Sequence, residues 1–186
     1  MNVKEMVGRV MTALDEVVGF DLVKNTETYR YRIYEAIDSI QQELSAFVSP
    51  IICYEKVNFS GGGYVISPKI RNIIRIFDKN GKNVPFSYVT PRVIDIAEGE
   101  YTIIYDKYPD VIRKLSEADV EVDLMELEIT REAQEAMVYG VCAYLSINDE
   151  PELYNTYMNR YTAYMSNILS GRDTRPMAVI NGGISF

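Results

Sequence analysis

The chain has no histidine and no tryptophan. Without histidine, every Ser-His or Cys-His nucleophile, every histidine general base and every His-containing metal site is excluded within the chain. Most common hydrolase mechanisms go with them, and any remaining chemistry would have to run on carboxylates, lysines, tyrosines or thiols. Cysteine is nearly as scarce. Cys53 in a strand-like run and Cys142 in a helix-like run are the only two, and they form no disulfide framework and match no redox or metal spacing. Free cysteine is among the most buried residue types, so both are expected inside as small apolar residues. Long apolar runs are also missing. None approaches the roughly 20 residues of a membrane-spanning helix, and Met1 to Val10 carries charge where a signal peptide has its apolar stretch. A chain made and kept in a cytoplasm, with no membrane partner, is the expectation. Basic residues are the minority, 19 Lys and Arg against 27 Asp and Glu for a formal net charge of −8. Such a chain repels phosphate, so sequence-specific nucleic-acid binding is not expected.

What is present describes an ordinary globular chain. At 186 residues there is length for one main core with room for an insertion. The apolar share of 47% with 25% charged residues is enough to offset the entropy of ordering the chain. Tyrosine is abundant, 15 in all, and its apolar ring with a polar tip suits half-buried surfaces and protein interfaces.

The spacing of apolar residues gives the element order. Asn2 and Glu5 stand in capping-box spacing ahead of Met6, Val10, Leu14 (or Ala13) and Val17, which predicts an amphipathic helix over 2–19. A link from Phe20 to Asn25 ends at a cap-like Asn25-Thr26. Ile33, Ile37, Ile40, Leu44 and Phe47 then recur at helical steps until Ser49-Pro50, where the residue before proline is pushed out of the helical region. From Ile51 to Tyr108 the period becomes strand-like, in runs 51–59, 64–66, 72–77, 86–89, 93–96 and 101–105. Gly61-Gly62-Gly63, Asp78-Lys79-Asn80-Gly81 and Glu98-Gly99 separate them as turn signals, so small antiparallel sheets are predicted. Beyond Pro109 a short helix is expected over Asp110 to Leu115, and an extended stretch over Asp119 to Leu124, where acids and apolar residues alternate. Thr130 caps a helix from Arg131 to about Ile147. Asn148-Asp149-Glu150-Pro151 turns the chain into a last helix, with Pro151 in the first turn, a stripe of Tyr154, Met158, Tyr161, Met165 and Ile168, and Gly171 at its end. The fold class read from this is α+β: a helical body from 1–50 and 109–171, a β insertion from 51–108, and an extended C-terminal arm from 172–186.

No cluster forms a recognisable catalytic or cofactor site, and no cofactor is implied. The acids Glu117, Asp119, Glu121, Asp123, Glu126 and Glu128 could hold a hard cation, since Ca²⁺ and Mg²⁺ prefer carboxylate oxygens, but alternation makes a solvated strand or negative surface the simpler reading. Asp78 to Asn83 lacks the glycine position and closing Glu of a calcium loop and reads as a turn. Ser60-Gly61-Gly62-Gly63, followed by Tyr64, lacks the strand-to-helix setting of a phosphate cradle; it is a hairpin tip that can serve as a contact loop between subunits of an assembly. The segment after Gly171, with Pro176, Met177-Ala178-Val179-Ile180, Gly182-Gly183 and a terminal Ile184-Ser185-Phe186, is too short to fold alone but carries apolar anchors suited to a groove or to strand addition on a neighbour.

Helices, then a β insertion ending in Glu100-Tyr101-Thr102-Ile103-Ile104-Tyr105-Asp106-Lys107-Tyr108-Pro109, then a helix hairpin turning at Asp149-Glu150-Pro151-Glu152-Leu153 and running through Tyr157, Arg160 and Tyr161: this arrangement resembles the head-to-tail connector (adaptor) proteins of tailed bacteriophages and prophages. The resemblance covers most of the chain in order of elements, on short motifs. It implies a virion structural protein of the neck, assembled in the host cytoplasm into a ring, usually twelve-fold, beneath the portal, offering the next surface to tail components while DNA passes. It also implies that the arm reaches the portal, with Met177, Val179, Ile180, Ile184 and Phe186 as apolar anchors beside Pro176, and with Arg172 and Arg175 paired to portal acids. The stretch from Glu117 to Glu128 has no counterpart in that pattern. Another neck or tail-completion protein shares the same chemistry, and a carboxylate-dependent metal enzyme is the competing class.

Overall fold

The computed structural model describes residues 1–18, 26–61, 63–114, 118–147 and 151–173. The fold is mixed α+β, with five helices and two small antiparallel sheets among those residues. It divides into two compact units, one of Met1–Ser49 with Pro109–Arg175 and one built on Pro50–Tyr108.

The helical unit begins with α1 (Val3–Val18). Its capping box closes reciprocally: the Asn2 N–H donates to Glu5 Oε2 at 3.0 Å and the Glu5 N–H to Asn2 Oδ1 at 2.8 Å, which satisfies two of the helix's first donors. Met6, Val10 and Leu14 are buried, as are Ile33, Ile37, Ile40 and Leu44 of α2 (Thr26–Phe47). Thr130 caps α4 (Arg131–Ser146) by accepting from the Ala133 N–H. Helix α5 (Pro151–Asp173) packs back along α4. Tyr139 stacks on Tyr164 with ring centroids 5.3 Å apart, while Gly140 faces Tyr161, an order that makes the pair antiparallel. A Cβ on Gly140 would stand 3.0 Å from the Tyr161 ring and 3.1 Å from Ile40, so glycine is what lets α5 come this close.

Several expectations are corrected here. Residues 110–114 form no helix. Their N–H groups turn to carboxylates instead, Asp110 to Glu128 Oε2 at 2.7 Å and Ile112 to Asp38 Oδ1 at 2.8 Å. The stretch read as extended over Asp119–Leu124 is a single helical turn, α3 (Val120–Leu124), in which Val122 packs on the core while Val120 and Leu124 remain exposed. Period-two alternation thus misread a turn whose geometry is set by tertiary contacts. Phe47 is exposed and Val48 takes its inward place, because the Val48 and Ser49 N–H groups both return to the Leu44 carbonyl. Gly171 does not end α5, which continues to Asp173. Tyr157, outside the predicted stripe, is wholly buried, whereas Tyr154, Met158, Met165 and Ile168 are only half-buried against the core. The link 20–25, the turn at 148–150, Leu115 and Glu117 lie outside the described residues.

In the β unit, β1 (Ile51–Phe59), β3 (Ile70–Asp78) and β6 (Gly99–Lys107) form one sheet in the order β1-β6-β3. A second sheet, in the order β2-β5-β4, joins β2 (Tyr64–Val65), β4 (Ser87–Thr90) and β5 (Val93–Asp95). All six predicted runs are strands, with ends moved by a residue or two. Phe59, Ile70, Ile73, Ile76 and Ile103 from the first sheet meet Ile94 from the second, with Ile66 and Ile96 beside them. The Phe59 ring makes an edge contact with Tyr64 at 4.8 Å. β-branched isoleucine suits this pleated, half-buried setting.

Candidate functional site

The strongest surface feature of the β unit is the outer face of its first sheet. Successive side chains of a strand point to opposite faces, so along β1 the residues Cys53, Glu55, Val57 and Phe59 turn inward and Ile52, Tyr54, Lys56 and Asn58 outward. Tyr54 is 77% exposed and Ile52 54% exposed. Across the ladder Tyr54 pairs with Ile104 and Ile52 with Asp106, and Arg75 of β3 stands beyond Ile104. An exposed Ile74 adds to the apolar side chains of this sheet. The second sheet likewise presents Val65 at 71% and Val89 at 64% exposure. Apolar side chains gathered on a surface mark protein contact sites more often than single ones do.

The predicted contact loop at 60–64 is placed in two parts. The segment is not a hairpin tip, because β1 and β2 belong to different sheets; Ser60 and Gly61 are exposed in the connection between them, where Gly61 and Gly63 both take φ of +91°, a backbone glycine adopts without strain. Gly62 lies outside the described residues. Tyr64 is not a loop residue but part of β2, and its hydroxyl donates to Glu55 Oε1 at 2.8 Å. Burial, then the Glu55 carboxylate, pushes its phenol well above the ordinary tyrosine value. Asp78 to Asn83 is a turn: Asp78 Oδ1 accepts the N–H groups of Asn80 at 2.8 Å and Lys82 at 2.9 Å, and Gly81 takes φ of +76°.

The acidic stretch does not form one strand face: Glu121 and Glu126 are exposed, while Asp119, Asp123 and Glu128 are half-buried. Its members separate into individual ties. Asp123 accepts from Lys114 Nζ at 2.7 Å and from the Tyr34 hydroxyl, with the Lys114 ammonium also 5.3 Å from the Tyr34 ring centroid. Glu126 pairs with the Met1 ammonium at 3.1 Å, and Glu128 accepts the Asp110 N–H. Among the described residues no three Cys, Asp or Glu side chains come together in a way that could hold a metal ion. Cys142 is fully buried, its thiol pushed up to about 12 by burial. Cys53 is only half-buried, which corrects the expectation that both cysteines are interior.

Arg172 belongs to the last turn of α5 by its backbone. The remaining arm residues Arg175, Pro176, Met177, Val179, Ile180, Ile184 and Phe186 lie outside the described residues. Among the described residues no helix is long and apolar enough to cross a membrane. No protein-family model matches the chain, and no curated protein is similar to it.

The outward apolar alternation of β1 was legible in the sequence as a strand, but which of its two faces would be covered was not. That depends on the partner sheet, whose isoleucines sit far along the chain.

Proposed function

We propose that this chain is a structural docking protein of a tailed-phage or prophage neck: a connector that forms a ring on the portal, links it to tail components and lets DNA pass. The observation that carries the reading is the exposed apolar pair Ile52 and Tyr54 on the outer face of the first sheet. The order of elements supports it as well, since helices, a β insertion and an antiparallel helix pair follow one another here as in the connectors the sequence resembles. In this reading the energy lies in contacts between subunits, the arm from Arg172 to Phe186 meets the portal, and the chain does no chemistry of its own. The acidic balance accords with a channel that passes DNA without holding it, because like charge keeps phosphate from sticking.

The test is sedimentation of purified portal rings with the intact chain and with a version ending at Asp173. The intact chain is expected to travel with the portal and the shortened one to stay behind. If neither version binds while the isolated chain takes up a divalent ion tightly, the connector reading fails in favour of the carboxylate-dependent enzyme. Binding to a tail component but not to the portal would move the protein to another position in the neck.

A further inference from the structure

Among the described residues the two sheets have four end strands, and three of them are blunted in the ways that keep sheets from pairing with other chains. β2 has two residues. β4 has four, with a register shift, and stands between Pro85 and Pro91. β3 carries two register shifts, and part of its edge is covered by the returning chain, where Phe77 bridges Asn83 and the Val84 N–H donates to the Ile76 carbonyl at 2.8 Å. β1 differs from all three. It runs nine residues without proline, in unbroken register with β6 from Ile51↔Lys107 to Phe59↔Gly99, and its outward side chains are Ile52 and Tyr54 in the first half, then Lys56 and Asn58. A long, regular end strand is a template for one more strand, and here the apolar half before Lys56 is the part fit to accept it.

The chain supplies a segment of matching kind. After α5 ends at Asp173, residues 174–186 lie outside the described residues. Their sequence holds one apolar run of strand length, Met177-Ala178-Val179-Ile180, bracketed by Pro176 and Gly182-Gly183. Proline is tolerated at the start of an edge strand, and a glycine pair ends one.

We infer that β1 takes up the run Met177–Ile180 of a neighbouring copy as an added strand. The choice of a neighbouring copy rests on the ring reading above: a donor segment and an acceptor edge at different places make a heterologous contact, the kind that builds a ring when its rotation closes, whereas β1 pairing with a second β1 is two-fold and stops at a dimer. The segment is the one assigned to the portal, so the exchange is the state of the copies before the portal is met.

The experiment uses the full chain without any portal, so its outcome is separate from that of the connector reading. Cys53 is kept, Cys142 is left in place because it is buried, and single cysteines replace Met177, Ala178, Val179 or Ile180 in four variants. Residues opposite each other in a ladder lie about 4.5–5.5 Å apart at Cα, inside the range of disulfides. After mild oxidation, a ladder of cross-linked chains is expected from one of the four variants, the one whose cysteine stands opposite Cys53, because the next residue on the same face lies about 7–8 Å away, beyond disulfide reach. The ladder should vanish when Ile52→Lys and Tyr54→Lys are added, at exposed positions whose replacement leaves the circular dichroism spectrum unchanged. Equal cross-linking at all four positions, no cross-linking, a disulfide within one chain, or Cys53–Cys53 dimers in the parent would each overturn the proposal.

Discussion

The two units solve the same problem, satisfying backbone polar groups while burying apolar surface, by different means. In the β unit the ladders satisfy the backbone, so the core can be almost pure isoleucine with aromatic edges. In the helical unit the described part of the segment from Pro109 to Thr130 has only a short bridge to the chain's start, Asn2 to Glu126, and side chains satisfy much of the rest. Gln134 Nε2 donates to the Leu127 and Ile129 carbonyls at 3.2 and 3.0 Å, Gln41 Oε1 accepts the Glu128 N–H at 3.2 Å, and Ser49 Oγ accepts the Thr130 N–H at 2.8 Å. Polar groups inside a protein are tolerated only when partnered, and among the described residues no buried side-chain nitrogen or oxygen lacks a partner. The helical unit is therefore specified by particular polar pairs, and the β unit by pattern and volume.

This contrast can be broken first where the effect is largest. Ile103→Ala removes a fully buried side chain at the centre of the β core; large-to-small changes of this kind cost about 2–5 kcal/mol, read as a lower urea midpoint. Isoleucine to valine at the same position should cost about 1 kcal/mol, because here volume is what counts. In the helical unit the sensitive site is a charge. Lys114 and Asp123 side chains are 2% and 15% exposed, and Asp123→Ala leaves the buried ammonium without its carboxylate, a loss on the order of 3 kcal/mol. Replacing the whole set, as Lys114→Met and Asp123→Leu with Tyr34→Phe to remove the hydroxyl that Asp123 also accepts, should restore most of that loss. If the triple variant is as unstable as the single, packing and not charge governs the site.

Alkaline pH separates the units less sharply. The Cys142 thiol has a folded value of about 12 against an ordinary 9.0, raised by burial. Its contribution is fully present below pH 9 and is lost between pH 9 and 12, where the unfolded chain releases a proton that the folded chain keeps. Stability should fall there by up to about 1.4 kcal/mol per pH unit, and Cys142→Ala should flatten that part of the profile. Burial raises the Tyr161 phenol in the same direction, so some slope will remain. The smallest effect expected is that of Tyr157→Phe, which removes a donor to the Ala13 carbonyl at 3.0 Å and should cost about 1 kcal/mol by the same midpoint measurement.

How far the sequence could be read follows the same division. Elements held by local rules were legible: the Asn2 and Glu5 capping box, the Thr130 cap, the turn at Asp78, and six strands set by alternation and glycine. The region from Asp110 to Leu124 was not, because its conformation is set by Asp38 and Tyr34, far away in the chain. Acids spaced two apart look like one face of a strand, yet Asp123, Glu126 and Glu128 each bind something different. The candidate surface was half legible: the alternation in β1 marks Ile52 and Tyr54 as sharing a face, but their exposure follows from which face the second sheet covers.

The central claim, that the chain works by docking onto a portal, is tested most directly by the native mass of purified portal rings titrated with the intact chain. The account predicts a mass that rises in multiples of 21.3 kDa and saturates at one closed ring per portal. A portal mass that stays unchanged at every ratio, with the added chain remaining apart, would contradict it.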